Sequence, residues 1–246
     1  MLEGVHVETA SQAVTRVLLD AIVDGRIPPG KTLRLQEISD QLGLSMMPVR
    51  EAIRQLAALD LVEIEPRRGA RVRAMSVEDL QDTYFSRVYI ESIAVWEAAK
   101  SFTQADYDKA NGALLEQEAA QLEGDLVRGR AAHERFHFAI YEASHKNWLL
   151  RSILPAWRNS ERYRVGALAQ KETLARRGIE HHELLESVSR GDGRAAVGHL
   201  ATHLATSVQL AWASVDTSGE LVPLGVSKED ISALVDQIEA SQPFSI

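Results

Sequence analysis

The chain carries eight histidines and no cysteine. Seven of the eight fall between positions 133 and 203, and imidazole is both the commonest metal-ligating side chain and the one that titrates near neutral pH. His133 and His137 are one helical turn apart, so on a helix they share a face. His181 and His203 lie in EHHELLESVSRGDGRAAVGHLATHL, residues 180–204, which reads as two helices broken at Gly191-Asp192-Gly193. An antiparallel pair of such helices brings His181 and His203 to one level. With no thiolate available, a metal site here must be built from imidazole and carboxylate, and an all-imidazole set suits Zn²⁺, Ni²⁺, Cu²⁺ or Co²⁺. His182 and His199 read as surface residues or as supports of the cluster. His199 is the weaker rival of His133, because it too has a histidine four residues away.

A second kind of chemistry is written in the stretch from Leu35 to Arg73, LQEISDQLGLSMMPVREAIRQLAALDLVEIEPRRGARVR. Ile38 and Leu42 give a first helix its apolar face, and Gly43 ends it, since glycine takes the left-handed conformation that helix C-termini favour. Ser45 is placed to cap a second helix, with Pro48 tolerated in its first turn. Val49, Ile53, Leu56 and Leu59 form its buried stripe, and Arg50 and Arg54 lie on another face. Leu61, Val62 and Ile64 begin a hairpin with Arg67-Arg68-Gly69 at the tip and Val72 on the return. Helix, tight turn, helix and basic hairpin make a winged helix-turn-helix, whose second helix enters the DNA major groove.

The elements around these two constellations are mostly helical. A helix is expected from Ser11 to about Asp24, with Val14, Val17, Leu18, Ala21 and Ile22 buried, followed by a loop at Ile27-Pro28-Pro29-Gly30. Ala74-Met75-Ser76 reads as a linker, with Ser76 capping the next helix. Further helices are expected near 77–100, 104–123, 126–145, 147–168, 170–190 and 193–213. Trp148, Trp157, Tyr163 and Trp212 read as core residues. The fold expected is mostly α: a winged helix-turn-helix in 1–75, an all-helical bundle in 76–215, and a tail in 216–246 with one short helix near 227–240. Net charge is −8, yet residues 1–75 balance ten basic against ten acidic residues. Arginines concentrate at the wing, and local charge governs phosphate binding. The first residues lack the basic and apolar regions of a signal peptide, and no apolar run reaches the roughly 20 residues of a membrane span, so a soluble cytoplasmic protein is expected.

On the residues AIVDGRIPPGKTL (21–33), QEISDQLGLS (36–45), PVREAIRQL (48–56) and LVEIEPRRGARV (61–72), the N-terminal part resembles the DNA-binding domain of GntR-type bacterial transcription regulators. The resemblance implies contacts to bases and phosphates from Ser45, Met46, Met47, Arg50, Arg67, Arg68 and Gly69. Arg50 is the candidate for a bidentate guanine contact. Arg34 and Gln36 join them at the start of the first helix of the motif. Many relatives carry Arg at the positions of Gln36 and Met46, so the operator read here is expected to differ. RVYIE (87–91), HERFH (133–137) and the stretch from His181 to His203 resemble the FadR-like (FCD) effector domain. There a divalent metal is held by an Asp and three His, and the carry-over gives His137, His181 and His203, with His133 where Asp is usual. Zn or Ni is the metal expected, and Arg87 and Arg164 are the residues expected to hold the carboxylate of a small organic acid effector.

The function implied is a ligand-responsive regulator, a repressor of a catabolic operon, acting as a homodimer on double-stranded operator DNA and making no membrane contact. Two alternatives stand beside it. In one the metal is itself the signal; in the other the helical domain is a metal-dependent enzyme, against which Glu134 and Glu183 are expected to point away from the histidines.

Overall fold

A computed structural model describes residues 8–66, 69–164, 171–213 and 226–240. Among them are ten helices and one three-stranded sheet. Helix α1 (Ala10–Val23) starts one residue before the expected Ser11, because Thr9 and Gln12 form a reciprocal capping box. Val14, Leu18 and Ile22 are buried as expected, but Val17 is 39% exposed and lies off the core stripe.

Strand β1 (Thr32–Leu33) follows, then α2 (Leu35–Leu42), α3 (Met46–Ala58), β2 (Val62–Glu65) and β3 (Gly69–Val72). The sheet order is β1-β3-β2, antiparallel throughout. The expected hairpin is there; β1 was not anticipated, because two residues cannot display an alternation. Gly43 is left-handed (φ 64°) and closes α2 as its sequence suggests. Ser45 sits at the N-cap of α3 with extended backbone, but its hydroxyl makes no capping bond. Leu42 is 37% exposed, so the apolar face of α2 rests on Ile38. Val14, Leu18, Ile38, Val49, Ile53 and Leu56 pack with the sheet residues into one core.

Helices α4 (Val77–Ala99), α5 (Gln104–Glu123), α6 (Leu126–Glu142), α7 (Asn147–Arg164), α8 (Lys171–Ser189) and α9 (Gly193–Ala213) build a second core around Tyr84, Phe136, Tyr141, Trp157 and Leu184. Trp157 and Tyr163 are buried as expected and Trp212 partly so, but Trp148 is 76% exposed and is no core residue. Helix α10 (Lys228–Ala240) packs against α9, with Arg194 reaching Asp236 and Glu239 at 2.8 and 2.7 Å. The rest of the tail, 216–225 and 241–246, lies outside the described residues.

The two cores meet through polar side chains. Arg130 of α6 bonds Asp20 of α1 (3.1 Å) and Asp24 at its C-cap (2.6 Å). On α7, Arg162 donates to the carbonyl of Arg73, and the Tyr163 hydroxyl accepts from the Ser76 N–H (3.1 Å). The linker is thus tied to α7 on one side while α1 is tied to α6 on the other. No helix among the described residues is long and apolar enough to cross a membrane.

Candidate metal and effector centre

Three helices place the histidines. Asp125 caps α6, accepting from the Arg128 N–H at 2.9 Å, and the core residues Ala132, Phe136 and Ile140 turn His133 and His137 inward. The α8–α9 turn closes on left-handed Gly191 (φ 73°), and Asp192 caps α9 through the Ala195 N–H at 2.9 Å. That hairpin sets the His181 and His203 rings 4.5 Å apart. The result is one buried group, His133, His137, His181 and His203, with one ring nitrogen of each within 4.8 Å of the others. His182 instead pairs with Glu118 (3.0 Å) on the surface, and His199 with Glu183 (3.5 Å). Glu134 is taken by Arg158, both oxygens within 2.6 Å of the guanidinium.

Burial drives the pKa of all four cluster histidines well below 6.5, and the neighbouring cations and rings add to it. They are neutral imidazoles, the state a metal needs. Their hydrogen bonds set the tautomers. Tyr141 gives its phenolic proton to Glu91 (2.6 Å), so its oxygen accepts from His137 Nδ1 (3.2 Å), and Nε2 keeps its lone pair. Glu180 accepts from His203 Nδ1 (3.0 Å), with the same consequence. A carboxylate or hydroxyl orienting the far nitrogen is the usual support of a metal-ligating histidine. His137 Nε2 and His181 Nε2 lie 3.3 Å apart, near the spacing of about 3.4 Å that two Zn–N bonds of about 2.1 Å at a tetrahedral angle require. His137 and His203 are thus oriented for a metal, and His181 joins them by position, its Nδ1 buried without a partner. His133 differs, because Arg164 donates to its Nδ1 at 2.8 Å. Arginine has no acceptor, so the His133 proton sits on Nε2, which is buried without a partner.

Arg87, expected to hold the effector's carboxylate, has partners of its own. Its fork is already closed on Glu91, at 2.6 and 3.2 Å, and its remaining arm bonds Ser160 (2.9 Å). Burial opposes its charge, but Glu91 outweighs that and raises its pKa. It stacks on Trp157 at 4.6 Å and braces the site from behind. Arg164 does face the histidines and is itself paired with Glu161.

Beside His133 lies a chamber of about 30 Å³, walled by Gln117, Gly129, Arg130, Arg164 and Arg177. It was not anticipated. Arg177 is buried, bonds Ser207 at 2.8 Å, and has its pKa pulled down to about 10 by burial and by Arg164. Its only sequence signal is its position four residues before His181, which puts both on one face of α8; Gln117 has none. Arg164 Nε, Arg177 Nε and Gln117 Oε1 are all buried without partners, an unusual concentration of unmet polar atoms.

On the N-terminal part, Arg34, Gln36, Met46 and Gly69 line one open hollow of about 630 Å³, together with Arg71 and Glu65. Ser45, Met47 and Arg50 are exposed beside it at the start of α3, Met47 at 74%. Arg34 is paired with Glu37 (2.8 Å) and Gln36 with Asp40 (2.8 Å). Gly69 is required by the fold itself: at φ 101° a Cβ would collide with the Leu33 carbonyl oxygen. Arg67 and Arg68 lie outside the described residues.

Residues 10–72 match the bacterial regulatory proteins of the gntR family, and residues 82–206 match the FCD domain. A probable D-xylose utilization operon transcriptional repressor of Paenarthrobacter nicotinovorans is 31% identical over 200 residues, covering 80% of this chain and 86% of that protein. The HTH-type transcriptional regulator LutR of Bacillus subtilis is 26% identical over 205 residues, covering 74% and 92%. Among solved structures, Escherichia coli McbR/YncC superposes with a TM-score of 0.76 at 23% identity, over 85% of this chain and all of that one.

Proposed function

The chain belongs to the GntR family of bacterial regulatory proteins and carries an FCD domain, and from this premise we propose that it is a cytoplasmic, homodimeric repressor of a catabolic operon, released from DNA by a small hydroxy acid. That it is a transcriptional regulator and not an enzyme follows from the family and its relatives; the rest is our reading. His137, His181 and His203 would hold a divalent metal, Zn or Ni, and His133 stays outside that set while Arg164 keeps its Nδ1. Bound there, the metal supplies a positive charge and an open coordination position to an anionic ligand.

One observation carries the reading: besides His133 Nε2, three orphaned polar atoms wall a chamber at the edge of the histidine cluster. Two are N–H donors from arginine and match a carboxylate; the third, Gln117 Oε1, is an acceptor and matches a hydroxyl. At about 30 Å³ the chamber holds about two waters, so an organic acid needs a wall to move. Met46, Met47 and Arg50 would read operator bases, with Ser45, Arg34, Gln36, Gly69 and the wing arginines Arg67 and Arg68 at phosphates and bases. Two copies of the winged helix suit a palindromic operator.

Elemental analysis of the purified, tag-free chain tests the metal, with His137→Ala as control. About one Zn or Ni per chain, lost in the variant, is expected. No metal in the wild type after reconstitution would remove the metal from the reading. A chain that binds operator in response to free metal alone, with no organic ligand, would be a metal sensor instead.

A further inference from the structure

Arg130 occupies two places at once. It is a wall of the chamber beside His133, and it is the cation that ties α6 to Asp20 of α1 and Asp24 at its C-cap. It lies three positions before His133, so both project from the same side of α6. The side chain is only 14% exposed, against 41% and 27% for its two acidic partners. Among the described residues, Asp125 is the chamber's one acidic lining residue, and it is engaged in capping α6. Arg164 has Glu161 as a counterion, whereas the counterions of Arg130 sit on the other domain.

Resting on the effector reading above, we infer that Arg130 is a fork shared between the chamber and the DNA-binding domain: an anion entering the chamber takes Arg130 from Asp20 and Asp24, and α1 is let go. The exchange gives up two carboxylates for one, but both of the two are partly exposed and hold Arg130 weakly, so a ligand that also meets Arg164 and Arg177 can tip it. It also uses the motion that the chamber demands. Asp125 and Leu126, at the start of α6, are exposed lining residues of the chamber, and Arg130 follows one turn on with the clamp. Coupling of this kind is reciprocal: removing the acids must strengthen anion binding by the factor by which the anion weakens docking.

The chain has no cysteine, so spin labels at Gln41→Cys and Leu122→Cys, both exposed positions, report one distance between the domains when labelled chains are diluted in unlabelled ones. Racemic malate is the probe. Arg130→Gln without malate is expected to broaden the distance distribution, and malate on the wild type to shift it the same way. Asp20→Asn with Asp24→Asn is expected to bind malate about 5- to 30-fold tighter, the equivalent of two partly exposed ion pairs. Arg177→Gln should weaken malate while leaving the ligand-free distance unchanged. If malate fails to bind, or binds regardless of Arg177, the chamber reading falls and this inference with it. If Arg177 matters but Arg130→Gln leaves the distance as in wild type, or the double Asn variant binds malate no better, the inference alone is wrong.

Discussion

Acidifying the metal-free protein should unfold the helical domain at a pH where most of its carboxylates are still charged. The four cluster histidines are held neutral in the fold, with pKa values depressed well below 6.5. The unfolded chain binds protons there from pH 6.5 downward, so the stability is fully present above 6.5 and is lost as pH falls toward the folded values. Between pH 7.5 and 5.5 each such histidine costs about 1.4 kcal/mol, and the four together about 5 kcal/mol. A domain with a total stability of about 5–15 kcal/mol is brought close to unfolding by that sum. All four tryptophans, at 96, 148, 157 and 212, lie in the helical part, so their fluorescence in urea melts follows this domain alone. His137→Gln should flatten the pH dependence by about 1.4 kcal/mol over the same interval. If the wild type and His137→Gln differ by less than about 0.5 kcal/mol over this interval, His137 accepts a proton inside the fold and the neutral-cluster argument fails.

Three further outcomes follow from individual contacts. Gly69→Ala should destabilise the N-terminal part by about 2–4 kcal/mol, from the left-handed backbone and the collision with Leu33, read as faster amide exchange in the sheet; wild-type protection would show that the wing tip relaxes freely. Arg50→Ala should cost about 1–3 kcal/mol of operator affinity and relax specificity at one base pair, whereas a uniform loss on all sequences would make Arg50 a phosphate contact. Glu180→Gln, which deprives His203 Nδ1 of its carboxylate, should weaken metal binding about 10- to 100-fold with the fold intact, and unchanged affinity in a competition titration would remove His203 from the ligand set.

What could be read from the residues was whatever local spacing expresses. The His133/His137 pair and the glycine-bounded turn between His181 and His203 are short-range patterns, and helix geometry turns them into one cluster. Helices with clear caps, such as the one opened by Ser76, were legible for the same reason. What escaped depends on partners distant in sequence. Arg87 looked available for a ligand because nothing in RVYIE says whether an i, i+4 glutamate will fold onto the arginine or away from it. Gln117 enters the chamber from a helix whose own sequence carries no signal of it. Trp148 is apolar by type but lies on the solvent side of the first turn of α7, whose contact with the core is made by Leu149 and Leu150. Arg130 was unremarkable until the packing of α6 against α1 gave it two acids.

The balance of buried charge makes one more outcome follow. Around the histidines the structure sets Arg87 against Glu91, Arg164 against Glu161, and Arg177 within the field of Glu180 and Glu161. Three arginines face three glutamates, and the four imidazoles add nothing. A divalent cation in this cluster therefore brings two positive charges that no protein group offsets, where an aspartate at position 133 would have offset one. Uncompensated charge in a dry interior is costly, so metal and anion should assist each other's binding. Coupling energies between sites commonly correspond to factors of about 5 to 150; a dication in the histidine cluster next to a carboxylate in the adjoining chamber belongs within that range. Zinc affinity measured by competition with a chromophoric chelator should rise at least about tenfold when malate replaces chloride, and malate should bind the zinc form more tightly than the metal-free form by the same factor. Replacing His133 with Asp supplies the missing negative charge from the protein: zinc alone should then bind more tightly, and the gain from malate should shrink. Equal zinc affinity with and without malate in the wild type would mean that the surrounding arginines and glutamates are not balanced as their contacts indicate.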